Sequence, residues 1–227
     1  MEKISILIPV FNESKSLEEI LKRVEAVDFE MEKEIIIIDD YSTDGTRELY
    51  SKFPYKVLYH EENLGKGAAL RTGLKEASGD IIIIQDADLE YNPEDYVPLV
   101  KIVRKGGADV VYGSRLSDTR NQGNFLFLSF IANLFLSFLT RILFNTYITD
   151  METCYKVFKA DVIKDIEIES NRFDFEPEIT AKLLKKGVRY IESPISYNAR
   201  SNEEGKKIGW RDGVQAIWTL IKYRFLK

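Results

Sequence analysis

Cysteine and histidine are almost absent from this chain of 227 residues, which contains one of each, Cys154 and His60. A lone cysteine excludes an intrachain disulfide, and a lone histidine argues against triads and metal sites that are built on histidine. Positive charge is not in excess either, because the formal net charge is -5. A nucleic-acid-binding protein that relies on overall basicity is therefore not expected.

Two phosphate-binding motifs are also missing. No Gly-x-Gly-x-x-Gly follows the first predicted strand, and no Gly-x-x-x-x-Gly-Lys-Ser/Thr occurs in the chain. This argues against a dinucleotide-binding protein and against a P-loop kinase or ATPase. Internal repeats and a secretory signal pattern are not found. Together with the lone cysteine, the missing signal pattern leads us to expect a cytoplasmic location.

Short aliphatic runs that alternate with helical periodicity are present instead. Buried strands are predicted at residues 4–10, 35–38, 56–59, 81–84 and 109–112. Strands without polar alternation that are separated by helices indicate a mostly parallel sheet with helices on both faces. We therefore expect a Rossmann-like α/β fold, and the length suits a single domain over residues 1–227.

Acidic residues follow two of these predicted strands. Asp39 and Asp40 close the second strand, and Asp86-Ala87-Asp88 follows the fourth. Ligands of such sheets bind beyond the carboxyl ends of the strands. Two carboxylates as close as Asp86 and Asp88 repel each other unless a cation lies between them, and Mg²⁺ or Mn²⁺ prefers oxygen ligands. This predicts a divalent metal site, with a solvated acidic turn as the alternative.

Two further candidates each allow a functional and a structural interpretation. Asp40 either accepts hydrogen bonds from a base or ribose, or it or Asp44 caps the next helix. Lys66 lies between Gly65 and Gly67. This short basic segment either contacts a phosphate or ribose, or it is a tight loop that leads into the following helix.

The segment 125–144 is apolar and about long enough to span a bilayer. Ser129, Asn133, Ser137 and Arg141 recur in it every four residues, so they form a polar stripe along one side of a helix. This indicates an amphipathic helix that lies in a membrane interface or packs its stripe against the domain. A soluble core helix and a full membrane span are the alternatives.

The end of the chain has a second amphipathic pattern. Val214, Ile217, Trp218, Ile221 and Phe225 share one helical face, which Lys222, Arg224 and Lys227 flank. Aromatic and basic residues on such a helix suit a lipid headgroup layer. Packing of this face on the domain or on another subunit is an equal alternative.

The motifs, in their order and spacing, resemble the family 2 inverting glycosyltransferases, which have the GT-A fold. The dolichyl- and polyprenyl-phosphate mannosyl- and glucosyltransferases are the most similar members. The matching segments cover essentially the whole chain and lie at residues 8–13, 38–45, 63–68, 85–90, 113–115, 150–158 and 173–178. The resemblance implies a nucleotide-sugar-binding half over 1–115 and an acceptor-binding half over 116–227.

The resemblance also implies roles for individual residues. The nucleotide sugar would be bound by Pro9, Phe11, Glu13, Asp40, Lys66, Asp86, Ala87, Asp88 and Glu90. The metal would be held by Asp86, Asp88, Glu90 and Glu178. The acceptor phosphate would lie near Arg115, Arg200 and Lys206, and the catalytic residues would be Asp88, Asp150 and Arg115. Cys154 and Glu90 depart from the family pattern, because many relatives have Gly and Gln at these positions.

The implied activity is that of a hexosyltransferase with a UDP- or GDP-linked donor. A sugar hydroxyl must lose a proton to a carboxylate such as Asp150, whereas a lipid phosphate is already an anionic nucleophile. The basic residues in motif positions favour a polyprenyl phosphate acceptor and a protein associated peripherally with a membrane surface. A saccharide or protein hydroxyl is the alternative acceptor, and a catalytically silent nucleotide-sugar-binding domain is the alternative of another class.

Overall fold

The computed structural model describes residues 2–118, 121, 127–199 and 210–226, with the side chains of 127, 128 and 210 left out. The first half alternates strands and helices as predicted. Its strands are β1 (Lys3–Val10), β2 (Glu32–Asp39), β3 (Lys56–Tyr59), β4 (Ile81–Ile84) and β5 (Val110–Ser114). Its helices are α1 (Leu17–Ala26), α2 (Thr46–Leu49), α3 (Lys66–Glu76) and α4 (Tyr96–Arg104), with single 3-10 turns at Tyr50–Lys52 and Pro93–Asp95.

The second half is richer in helix. Its helices are α5 (Phe127–Phe144), α6 (Ala160–Lys164), α7 (Phe175–Lys186) and α8 (Trp210–Ile221), and its strands are β6 (Lys156–Lys159) and β7 (Tyr190–Pro194). A π-helical turn, Lys222–Leu226, continues α8. Helix α8 packs against α7 and α5, so the end of the chain lies on the second half of the domain.

One seven-stranded sheet organises the described residues, in the order β3-β2-β1-β4-β6-β5-β7. Only β6 is antiparallel to its neighbours, β4 and β5, so the predicted mostly parallel α/β sheet is confirmed. All four isoleucines of β4 are buried, which explains why this strand shows no polar alternation. Val10 pairs with Asp39, and Leu7 pairs with Ile84. The carboxyl ends of β1, β2 and β4 therefore meet at one edge.

Helix α5 places its polar side against the protein and its apolar side outward. Asn133, Ser137 and Thr140 are buried, whereas its exposed face consists of Ile131, Leu134, Phe135, Phe138 and Ile142, which are 41% to 62% exposed. The polar stripe therefore packs on the domain, one of the two arrangements predicted for an amphipathic helix. No helix among the described residues combines the length and the apolarity that crossing a bilayer requires.

The start of α3 approaches the segment 168–172 very closely. A Cβ atom on Gly67 would lie 2.4 Å from the carbonyl oxygen of Ser170, and one on Gly65 would lie 2.4 Å from that of Asn171. The amide of Ala68 also donates to the carbonyl of Asn171 at 3.1 Å. The segment 65–67 is therefore a tight entry into α3, and glycine is required there because two backbones touch.

We expect Gly67→Ala to lower the free energy of unfolding by about 1–3 kcal/mol, because the added methyl group must push back a main-chain segment. Gly213→Ala is the control, since a Cβ there meets no atom within 4 Å. That control should stabilise the protein by up to about 1 kcal/mol, because alanine favours a helix over glycine. Urea unfolding followed by circular dichroism measures both. Equal effects of the two substitutions would contradict the close approach.

Candidate active site

Left-handed backbone conformations cluster at the edge where the predicted acidic residues lie. Asn12, Tyr41 and Leu89 have φ angles of 55°, 70° and 63°, although none of them is glycine. They follow β1, β2 and β4 in turn, and Tyr41 and Leu89 come directly after the acidic segments. Such conformations cost free energy and are concentrated at functional sites in proteins. The backbone therefore points to the same edge as the carboxylates do.

Lys66 joins two carboxylates at this edge. Its Nζ atom lies 2.8 Å from Asp86 Oδ1 and 2.8 Å from Glu176 Oε1. Burial by itself lowers the pKa of Lys66, but Asp86 and Glu176 raise it well above its usual value. Burial would likewise raise the pKa of Asp86, yet Lys66 holds it below its usual value. Lys66 and Asp86 are therefore both charged, and Glu176 is a site residue that the sequence did not reveal.

The four residues predicted to hold a metal are not brought together as a group. Among the described residues, no three His, Cys, Asp or Glu side chains are placed to hold a metal ion. Asp88 accepts a hydrogen bond from the amide of Glu90 at 3.1 Å, and Glu90 accepts one from the hydroxyl of Tyr197 at 2.9 Å. Glu178 is completely buried, and both of its carboxylate oxygens accept hydrogen bonds from protein donors.

The helical period explains why Glu176, and not Glu178, lies beside Lys66. Residues two apart on a helix point about 200° apart, so one of them faces away from whatever the other contacts. Glu176, in the first turn of α7, faces Lys66. Glu178 instead accepts hydrogen bonds from the amides of Glu169 at 2.9 Å and Ser170 at 2.7 Å. Glu178 therefore fastens a loop, and its predicted role at a metal stays a prediction.

Asp40 organises the loop that leads to Lys66. Its carboxylate accepts hydrogen bonds from His60 at 2.7 Å, Asn63 at 3.0 Å, and the amides of Leu64 at 2.9 Å and Gly65 at 2.7 Å. The side chain is 3% exposed. Its predicted contact with a nucleotide stays a prediction, like those of Pro9, Phe11, Glu13 and Ala87. The N-cap residue of the next helix, α2, is Gly45, and Asp44, one residue earlier, accepts a hydrogen bond from the amide of Thr46 at 3.1 Å.

A second centre joins Arg115 and Asp150, two of the three residues predicted to be catalytic. The guanidinium donates to both carboxylate oxygens, at 2.7 Å and 2.8 Å, and the amide of Arg115 donates at 2.9 Å. Asn133 of α5 donates to the same carboxylate at 2.7 Å. Burial would raise the pKa of Asp150, but Arg115 holds it below its usual value. Arg200 and Lys206, the other predicted phosphate ligands, lie outside the described residues.

A further carboxyl group, that of Glu152, interacts electrostatically with Glu176 of the first centre and with Arg115 and Asp150 of the second. Burial, and then repulsion from Glu176, raise the pKa of Glu152 to about 8. Glu152 Oε1 and Glu176 Oε2 are buried and have no hydrogen-bond partner among the described residues. Lys156 is buried nearby, donates to the carbonyls of Met151 and Thr153, and attracts both glutamates. The only signal in the sequence for Glu152 is its spacing from Asp150, which repeats the Asp-x-acid pattern of Asp86 and Asp88.

The proton of Glu152 should make stability depend on pH. Its pKa of about 8 exceeds the ordinary 4.5, so over this interval the folded chain keeps a proton that the unfolded chain releases. The contribution of Glu152 to the free energy of unfolding therefore falls as the pH rises. Relative to wild type, Glu152→Gln should gain stability between about pH 5 and pH 8.

Urea unfolding without divalent ions measures this difference, with the exposed Glu61→Gln as control. The raised pKa would be contradicted if the difference in unfolding free energy between Glu152→Gln and wild type were the same at about pH 5 and pH 8, or if it changed in the opposite direction.

A mostly parallel α/β sheet with an Asp-x-Asp segment at its carboxyl edge, and a centre that joins Arg115 of the first half to Asp150 of the second, fits a glycosyltransferase domain of the GT-A class. The family described as glycosyl transferase family 2 matches residues 5–167. The chain therefore belongs to this family.

Relatives over nearly the whole chain include two enzymes. This chain is 30% identical to the dolichol-phosphate mannosyltransferase of Pyrococcus furiosus, over 97% of this chain and 64% of that protein. The chain therefore spans less than two thirds of the length of that relative. It is 25% identical to the UDP-N-acetylglucosamine–dolichyl-phosphate N-acetylglucosaminyltransferase of Methanococcus voltae, over 90% of each.

The fold is similar to that of the glucosyl-3-phosphoglycerate synthase of Mycobacterium tuberculosis, solved with Mn²⁺, UDP and phosphoglyceric acid. The TM-score is 0.74 at 18% identity, over 99% of this chain and 79% of that one. This likeness, together with the family, confirms the predicted GT-A fold.

Proposed function

We propose that this protein transfers a sugar from a nucleotide-sugar donor to a polyprenyl phosphate at a membrane surface. The observation that carries the proposal is the double role of α5. Its inner side donates from Asn133 to Asp150 of the arginine centre, and its outer side exposes Leu134, Phe135 and Phe138. An apolar surface therefore lies about one helix diameter, ~10 Å, from Asp150, the carboxylate that pairs with the buried guanidinium of Arg115. A phosphate with an apolar tail matches both features.

The exposed apolar surface extends beyond α5. Phe225 and Leu226 of the final turn are 68% and 66% exposed, and Arg224 lies over the ring of Phe144 at 5.9 Å, which joins this turn to the end of α5. Contiguous exposed apolar side chains mark interaction surfaces in soluble domains. Basic residues such as Arg141 and Arg224 beside them suit an anionic headgroup layer. These contacts support a membrane surface as the partner.

The donor would bind at the other centre, at Lys66, Asp86 and Asp88. The oxygen ligands of the two aspartates fit Mg²⁺ or Mn²⁺, which when bound would neutralise charge that grows on the diphosphate. Lys66 is positively charged and held at this edge, so its ammonium group would screen the same diphosphate. Arg115 would screen the acceptor phosphate, with Arg200 and Lys206 as predicted further ligands.

The state of Asp150 favours a phosphate over a hydroxyl acceptor. Because Arg115 holds the pKa of Asp150 below its usual value, this carboxylate is a weak base. A phosphate needs no base, since it is already an anion at neutral pH. The second candidate, transfer to a saccharide or protein hydroxyl, is favoured by Glu152, because a buried carboxyl with a pKa of about 8 suits a general base.

We expect that Asp88→Asn, or EDTA, will lower turnover by about a hundredfold or more, because the leaving diphosphate loses its counter-charge. Asp80→Asn is the matched control, since Asp80 precedes the same strand at its opposite end and binds the amide of Glu2. The assay supplies UDP- and GDP-sugars, Mn²⁺ or Mg²⁺, and either polyprenyl phosphate or a saccharide, and counts lipid-extractable label.

Three results would overturn the proposal in different ways. Full activity of Asp88→Asn in EDTA would exclude a metal requirement at this site. Transfer to the saccharide alone, abolished by Glu152→Gln, would establish the hydroxyl acceptor. No transfer with any donor would favour a silent binding domain.

We expect the triple replacement of Leu134, Phe135 and Phe138 by serine to reduce binding to anionic vesicles about tenfold or more, because exposed apolar area is lost. Its melting temperature should stay close to that of wild type. Leu136→Ser is the control on the same helix, because Leu136 is 5% exposed and its loss should cost about 2–5 kcal/mol of stability. Vesicle sedimentation measures binding. Unchanged sedimentation of the triple variant would exclude this face as the membrane contact.

A further inference from the structure

Tyr223 points inward from the final turn of the chain, while the three residues that follow it are exposed. It is 2% exposed, whereas Phe225 is 68% exposed. Its hydroxyl donates to Glu178 Oε1 at 2.9 Å, and this glutamate is completely buried. A hydrogen bond to a buried carboxylate is among the stronger contacts that a tyrosine makes. The final turn is therefore fastened to α7 by a specific polar contact.

Glu178 connects Tyr223 to the loop that contains Glu169 and Ser170. It also accepts hydrogen bonds from the amide of Glu169 at 2.9 Å and from that of Ser170 at 2.7 Å. Lys222, next to Tyr223, reaches the same loop and lies 3.2 Å from the carboxylate of Glu169. Two adjacent side chains of the final turn thus hold the segment 169–170, one directly and one through Glu178.

That loop lies against the residues that flank Lys66. The carbonyl of Asn171 accepts from the amide of Ala68, and the backbone at Ser170 and Asn171 fills the space beside Gly67 and Gly65. The ammonium group of Lys66 then reaches Asp86. A continuous series of contacts between packed groups therefore runs from the final turn to the donor centre.

We propose that Tyr223 is a positioning residue for the donor centre, which it supports through Glu178 and the segment 169–171 that holds Lys66. Packing of the final turn against the domain then strengthens the binding of a nucleoside diphosphate. The inference rests on the proposed function, in which Lys66 faces that diphosphate. Because the same turn exposes Phe225 and Leu226, lipid that holds the turn in place also strengthens nucleotide binding, and the coupling is reciprocal.

Tyr223→Phe tests the proposal, because it removes only the hydroxyl. Tyr112→Phe is the matched control: its hydroxyl is also buried and also meets α7, at Thr180 Oγ1 at 2.9 Å, but not through the 169–171 loop. Calorimetry with UDP and GDP, with and without anionic vesicles, measures nucleotide affinity. We expect Tyr223→Phe to weaken it by about fivefold or more and to abolish the gain on vesicles. Tyr112→Phe should stay within about twofold of wild type.

A second variant separates positioning from general destabilisation. Glu178→Gln should weaken nucleotide binding in the same direction, and the double variant should lose less than the sum of the two single effects, because both act through one contact. In turnover, KM for the donor should rise more than kcat falls. Equal losses in Tyr223→Phe and Tyr112→Phe, or unchanged affinity in Tyr223→Phe, would overturn the inference alone. A wild-type protein that binds neither UDP nor GDP would overturn the proposed function as well.

Discussion

The ammonium group of Lys66 lies 2.8 Å from both Asp86 and Glu176, and the proposed donor centre depends on this contact. Two carboxylates enclosed at a sheet edge repel each other and lose hydration, so a cation must lie between them. Lys66 belongs to the start of α3, Asp86 follows β4, and Glu176 belongs to the first turn of α7. One ion pair network therefore holds three elements that are distant in sequence, and it keeps a positive charge where a diphosphate would bind.

In the arginine centre, too, a buried carboxylate is paired with a cation, here the guanidinium of Arg115. Asp150 is completely buried, and donors from Arg115 and Asn133 surround it. Because Asn133 lies on α5, satisfying this carboxylate turns the polar side of α5 inward. The apolar side must then face outward. The exposed apolar surface is thus a consequence of how a buried charge is paired, which connects the arginine centre to the surface that the helix presents.

Two departures from the family pattern also have local explanations. Cys154, where many relatives have glycine, is buried, and its thiol donates to the carbonyl of Ile84 at 3.9 Å, at the end of β4. Glu90, where many relatives have glutamine, accepts from the hydroxyl of Tyr197, whose ring lies beneath Arg115 at 5.0 Å. Glu90 thus reaches the arginine centre through Tyr197, whereas Cys154 packs at the end of the strand that leads to Asp86. Neither changes the order of the strands that position them.

The sequence by itself determined the sheet, because unbroken aliphatic runs such as Ile81–Ile84 can only be buried between helices. It also determined which edge carries the acidic residues, since they follow the strands directly. Tertiary structure alone decided which carboxylate meets which cation. Glu176 and Glu178 have the same type and nearly the same position, yet the helical turn directs one to Lys66 and the other to Tyr223. It likewise decided which side of α5 faces water, because that choice depends on Asp150, a partner outside the helix.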